Sequence, residues 1–127
     1  MSATALPSHL HDSDQLVDFG EEVLIVDDDT EFRVLLAARV DSLGADVREA
    51  ASVAEAIAAF ETGHVDVVLS DHSMPRGSGL NLLSYLVARG FSGRFVLMSG
   101  DLSPETARLA RAQGALAISK WDLLGYL

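Results

Sequence analysis

From Glu22 onward the chain alternates two kinds of apolar pattern. Short, nearly continuous apolar runs occur at residues 23–26, 65–69, 95–98 and, more weakly, 115–118. Near-continuous runs of this length, rather than strict alternation, mark strands covered on both faces. Residues 46–50 predict a further, more exposed strand, since Ala45, Val47 and Glu49 alternate with polar neighbours. Between the strands the period lengthens. Phe32, Leu35, Leu36, Val40 and Leu43 recur at helical spacing, as do Val53, Ile57 and Phe60, and then Leu80, Leu83, Leu86 and Val87. A fourth helix, about 104–113, is rich in alanine and arginine and only weakly amphipathic.

The junctions support the same division. Ser52 with Glu55 predicts a capping box, and Ser103 before Pro104 predicts an N-cap followed by proline at the first helical position. Each helix ends near a glycine, at Gly44, Gly63, Gly90 and Gly114. Five strands alternating with helices predict an α/β fold, a doubly wound parallel sheet joined by right-handed crossovers.

Composition narrows the functional classes. The 127 residues include no cysteine, which removes a disulfide scaffold, a thiolate metal site and a cysteine nucleophile. A net charge of −10 argues against binding a phosphate backbone, so no direct contact with nucleic acid is expected. Neither a membrane span nor a signal peptide is legible, and a cytoplasmic domain is the expectation. The charge is unevenly placed. Asp12, Asp14, Asp18, Glu21 and Glu22 fall in the first 22 residues, which hold no Lys or Arg and so carry half of the net charge. Residues 1–20 are therefore expected to be an acidic appendage, partly disordered or docking through Leu16, Val17 and Phe19, ahead of a domain at 21–127.

In a doubly wound sheet, ligands meet the carboxyl ends of the strands. Those ends carry Asp27, Asp28 and Asp29, then Asp71, then Ser99, then Ser119 and Lys120, the only lysine in the chain. Clustered carboxylates without a nearby His or Cys ligand suit a hard cation such as magnesium. With that charge neutralised, Asp71 can act as a nucleophile toward a phosphoryl group, and a lysine and a serine are suitable donors to its oxygens. Each element has a plainer reading: acids favour helix starts, and Asp29 fits that role, while Asp and Ser are ordinary turn residues. Their appearance together, at four strand ends in this order, carries the argument.

Those residues also carry a resemblance. Over roughly four-fifths of its length the chain resembles a response-regulator receiver domain of bacterial two-component systems. The matching segments are Val23-Leu-Ile-Val-Asp-Asp-Asp29, Asp66-Val-Val-Leu-Ser-Asp-His-Ser-Met-Pro75 with Gly77-Ser-Gly-Leu80, Val96-Leu-Met-Ser-Gly100 and Gly114-Ala-Leu-Ala-Ile-Ser-Lys120. The resemblance implies a flavodoxin-like strand order 2-1-3-4-5, for which a member of this family is a standard example. It implies Asp71 as phosphoacceptor and Mg2+ held by Asp28 directly, Asp27 largely through water, Asp71 and the backbone carbonyl of Ser73. Ser99 stands where the family has the Ser or Thr that turns toward the phosphoryl group, and Lys120 where it has the lysine that pairs with it. The implied partner is a histidine kinase or phosphotransfer protein, with an output partner that the sequence does not identify.

The chain departs from the family pattern in four places. Ala117 replaces the Tyr or Phe usual three residues before the lysine, and Trp121 replaces the proline usual after it. A trans Lys120–Trp121 bond is expected, because cis would cost about 3 kcal/mol. The apolar tail 121–127 leaves room only for a shortened fifth helix or none, and could fold over the sheet or contact a second subunit as a homodimer. The acidic appendage is the fourth. Gly77-Ser78-Gly79 is read as a turn and not a phosphate loop, His9, His11 and Asp12 as tail residues, and His64 as a loop residue. His72 either borders the site, where it could affect access by the phosphodonor, or is a plain surface residue. Two other functions stay open: a constitutive interaction module with a weakened output switch, and a magnesium-dependent phosphohydrolase. The latter usually needs a second acid where this chain has Ser73.

Overall fold

The computed structural model describes residues 15–127. The readings of Asp12, Asp14, His9 and His11 lie outside that span. The order is β1 (Glu22–Val26), α1 (Thr30–Ser42), β2 (Asp46–Ala50), α2 (Val53–Glu61), β3 (Val67–Asp71), α3 (Gly79–Ala88), β4 (Arg94–Ser99), α4 (Pro104–Ala112), β5 (Leu116–Ser119) and α5 (Lys120–Tyr126). All four strand pairings are parallel and the sheet order is β2-β1-β3-β4-β5. The expected α/β architecture and 2-1-3-4-5 order are therefore observed. The fifth helix is present but short, at seven residues.

The continuous apolar runs conceal a period of two. Val23 and Ile25, Val67 and Leu69, and Val96 and Met98 pack on the face covered by α1 and α5. Leu24 and Val26, Val68, and Phe95 and Leu97 pack on the face covered by α2, α3 and α4. Both faces are buried, so both parities must be apolar. The parity also places the residues that follow. Continuing each strand by alternation puts Asp27, Asp71 and Lys120 toward α1 and α5, and Ser99 toward the other face.

The helices bury narrower stripes than their sequences suggest. α1 seats Phe32, Leu36 and Val40, whereas Leu35 is 54% exposed. It lies one helical step, about 100°, from the buried stripe. In α3 the buried set is Leu82, Leu83 and Leu86, and Val87 faces outward. Ser52 caps α2 by accepting from the Glu55 N–H at 3.1 Å, but the Glu55 carboxylate reaches back to the Ala51 N–H at 2.9 Å instead of that of Ser52. Ser103 and Pro104 begin α4 as expected. Ser78 and Asn81 form a capping box at α3, so the Gly-Ser-Gly stretch is a helix entry.

The opposite edge of the sheet is closed by the segment just ahead of β1. Leu16 (2% exposed) and Val17 join the α1/α5 core, while Phe19 is 86% exposed. Arg94 Nη1 donates to the Leu16 carbonyl at 2.7 Å, and an Asp66 carboxylate oxygen accepts from the Glu22 N–H at 2.8 Å. No helix among the described residues is long and apolar enough to cross a membrane. Leu16→Ala should therefore destabilise the fold by about 2–4 kcal/mol, and Phe19→Ser by no more than about 0.5 kcal/mol. Equal shifts for the two in urea titrations would show that the segment is not docked in this way.

Candidate functional site

β1 and β3 are central neighbours, and the strand order reverses between them. Register aligns Val26 with Ser70, and Asp71 with Met98, so Asp27, Asp71 and Ser99 lie at one edge. Ser99 pairs with Ser119, and Lys120 follows at once as the first residue of α5. The five expected side chains thus arrive at one end from four strands.

Asp27 is fully buried, Asp71 nearly so, and Asp28 exposed. One carboxylate oxygen from each lies within 4.8 Å of the others. Lys120 Nζ stands 2.7 Å from Asp27 Oδ2 and 3.4 Å from Asp71 Oδ1. Lys120 is the close cationic partner of the fully buried Asp27 Oδ2. Asp27 Oδ1, in contrast, accepts from the Asp29 N–H at 2.9 Å. Three carboxylates against one ammonium leave a local deficit of positive charge.

Burial and that deficit act together on Asp71. Burial pushes its carboxyl up, the Asp27 charge adds to the rise, and Lys120 and the Ser73 backbone N–H only partly offset them, leaving it at about 6. For Lys120, burial pulls the ammonium down, but Asp27 and then Asp71 outweigh it and hold its pKa above the ordinary value. The donor set fits a hard divalent cation. It offers three carboxylate oxygens within 4.8 Å of one another, with no His or Cys among them, and Asp28 opens the cluster to solvent.

The remaining expected residues have defined settings. The buried Ser99 hydroxyl accepts from the Asp101 N–H at 3.2 Å. His72 is partly buried, with its backbone N–H donating to the Met98 carbonyl at 2.8 Å and its backbone carbonyl accepting from the Gly79 N–H at 3.0 Å. A Cβ on Gly79 would stand 2.5 Å from the Asp71 carbonyl oxygen, so α3 approaches the end of β3 this closely only with glycine there. Ala117 is buried, and the peptide bonds of the described residues, Lys120–Trp121 included, are all trans. Asp29 caps α1 and accepts from the Phe32 N–H at 3.2 Å.

Two contributors were not singled out in the sequence. Arg33 donates from Nη1 to the Asp27 carbonyl at 2.8 Å and from Nε to Glu49 at 3.0 Å, tying the β1–α1 turn to β2. Phe32 presents its ring 4.6 Å from Lys120 Nζ. An arginine one turn beyond the Asp29 cap was a usable signal, because from there it can reach back to the strand end. Phe32 gave none beyond its place in an apolar stripe.

The sequence matches the response regulator receiver domain over residues 23–120. The chain belongs to the response-regulator receiver family. The receiver is 35% identical over 115 residues to the acid tolerance regulatory protein ActR of Rhizobium meliloti (strain 1021), covering 91% of this chain and 59% of ActR. It therefore spans about three-fifths of that relative's length. The crystal structure of a response regulator receiver protein from Pseudomonas putida superposes with a TM-score of 0.76 at 26% identity, covering 87% of this chain and 97% of that one. A CheY-like receiver domain protein from Methanospirillum hungatei JF-1 gives 0.76 at 26% identity, covering 83% and 88%.

The burial of Asp71, with the Asp27 charge beside it, sets the sign of a pH effect. A carboxyl raised in the fold from 3.8 to about 6 costs nothing while it is protonated, below the unfolded value. The cost grows between the two values and is complete above about 6. In chelator, Asp71→Asn should match the wild type at about pH 3 and exceed its stability by on the order of 1 kcal/mol at about pH 7.5. Thermal melts across that range test this, and a lead that shrinks as pH rises would contradict it. Arg33→Met should cost about 1–3 kcal/mol, since it strips the Asp27 carbonyl of its charged donor; urea titration measures it.

Proposed function

We propose that this receiver is phosphorylated on Asp71, accepting a phosphoryl group from a phosphohistidine on a histidine kinase or phosphotransfer protein. The observation that carries the reading is the grouping of Asp27, Asp28 and Asp71 within 4.8 Å, with Lys120 Nζ 3.4 Å from Asp71. In this reading residues 21–127 are the receiver, residues 1–20 an acidic appendage to it, and the cell compartment is the cytoplasm.

Asp27, Asp28 and Asp71 would hold Mg2+, with the Ser73 backbone carbonyl as a further oxygen ligand. Bound there, the cation would neutralise the carboxylates and draw charge from the phosphoryl oxygens. Asp71 then attacks phosphorus: a carboxylate oxygen–phosphorus bond forms, the phosphorus–nitrogen bond breaks, and the departing imidazole keeps the electron pair and takes a proton. At pH 7.5 a carboxyl titrating at about 6 is mostly ionised and so able to attack. Lys120 donates to the transferred oxygens as a compact charge, and Ser99, whose oxygen now accepts from Asp101, has its own O–H to give. The product is a signalling state, and the protein is a phosphoacceptor and not a turnover enzyme.

The output step is a separate matter. Ala117 supplies no ring to follow a movement of Ser99, which favours a second reading: an interaction module whose partner binding does not depend on phosphorylation. A phosphohydrolase ranks last, because Ser73 is not the second acid such enzymes use.

Incubation with Mg2+ and acetyl phosphate, followed by intact-mass measurement, tests the first reading. Wild type should gain one phosphoryl group, and Asp71→Asn or wild type in chelator should gain none. An equal adduct on Asp71→Asn would sink it. An adduct accompanied by amide shifts confined to the pocket would support the interaction module, and sustained turnover of varied phosphoesters would support the hydrolase.

A further inference from the structure

We propose that Phe32 is a positioning residue for Lys120, its ring holding the ammonium at the gap between the ends of β1 and β3. The inference rests on the phosphoryl-acceptor reading and deepens it. Lys120 carries its charge on a flexible four-carbon stem, and three groups fix the charge here: Asp27, Asp71 and the face of Phe32, 4.6 Å from Nζ. Two of these are carboxylates whose hold changes with the charge state of the site. When Asp71 carries a phosphoryl group the ammonium is drawn toward the new oxygens, and when the carboxylates face another cation their attraction for it falls. The ring quadrupole does not titrate and forms no bond in the reaction, so its attraction persists through those changes.

The fold makes this a fixed contact. Phe32 is buried in the α1/α5 core, and its backbone N–H donates to the Asp29 cap in the first turn of α1. Sheet parity turns Asp27, Asp71 and Lys120 toward the same face. With Ala117 buried on the other face, Phe32 is the aromatic residue that meets the site's cation. Simple core packing would explain the burial of Phe32 but not a dependence on the charge distribution of its ring.

The chain's sole lysine makes the test clean. Reductive methylation with 13C-formaldehyde labels Lys120 and, separately resolvable, the N-terminal amine. In metal-free wild type the Lys120 methyl resonance should be shifted upfield by the ring, and in Phe32→Leu it should return toward the position of a free lysine. On unlabelled protein, 3,4,5-trifluorophenylalanine at position 32 keeps the shape but removes the electron-rich face. With Mg2+ and acetyl phosphate it should slow Asp71 phosphorylation by about 3- to 10-fold, with little change in melting temperature. A wild-type rate in the fluorinated protein, or the same methyl shift in wild type and Phe32→Leu, would overturn the proposal. If wild type takes no phosphoryl group, the acceptor reading fails, and the methyl shift still decides where Phe32 holds Lys120.

Discussion

Lys120, between Asp27 at 2.7 Å and Asp71 at 3.4 Å, is the cation that lets two carboxylates lie buried at adjacent strand ends. Without it, each acid would face the desolvation cost of its own charge and the repulsion of the other. Compensation is incomplete, as the raised titration of Asp71 shows. The protein thus keeps a carboxylate that is charged at a cost beside a lysine whose nearest partner, Asp27, belongs to the same acid cluster.

The rest of the architecture serves that arrangement. The parallel sheet brings strand ends together, and two-sided coverage forces a parity that turns Asp27, Asp71 and Lys120 toward α1. The first turn of α1 is therefore where support for the site concentrates. Asp29 caps it, Phe32 faces the ammonium, and Arg33 binds the carbonyl of Asp27. Gly79 performs the corresponding service at β3 by admitting α3 against the Asp71 backbone.

Much of this was legible in the sequence, because strand ends are readable wherever an apolar run stops. Asp27, Asp28, Asp71, Ser99 and Lys120 all follow such runs, and a parallel sheet obliges those ends to meet. Exposure on the helices was less legible. Leu35 and Val87 look like core residues at helical spacing, but a helix on a sheet buries a narrow stripe, and its exact rotation is a tertiary property. The ring of Phe32 reaches Lys120 from 88 positions away in sequence, so no local pattern could report it. Leu16 and Val17 were weighed as a docking turn, but the carbonyl that Arg94 binds belongs to the backbone and leaves no trace in side-chain identity.

That last contact has a kinetic consequence. The bond from Arg94 to the Leu16 carbonyl joins residues separated by 78 positions, whereas successive strand–helix–strand units close far shorter loops. Long loops carry a larger entropic cost before their contacts stabilise anything. We therefore expect the segment ahead of β1 to dock after the sheet has formed, so that its loss would speed unfolding and leave refolding nearly unchanged. The two edges of the sheet would then differ in their place on the folding pathway: a clasp that closes late lies at one, and the acids it never touches lie at the other.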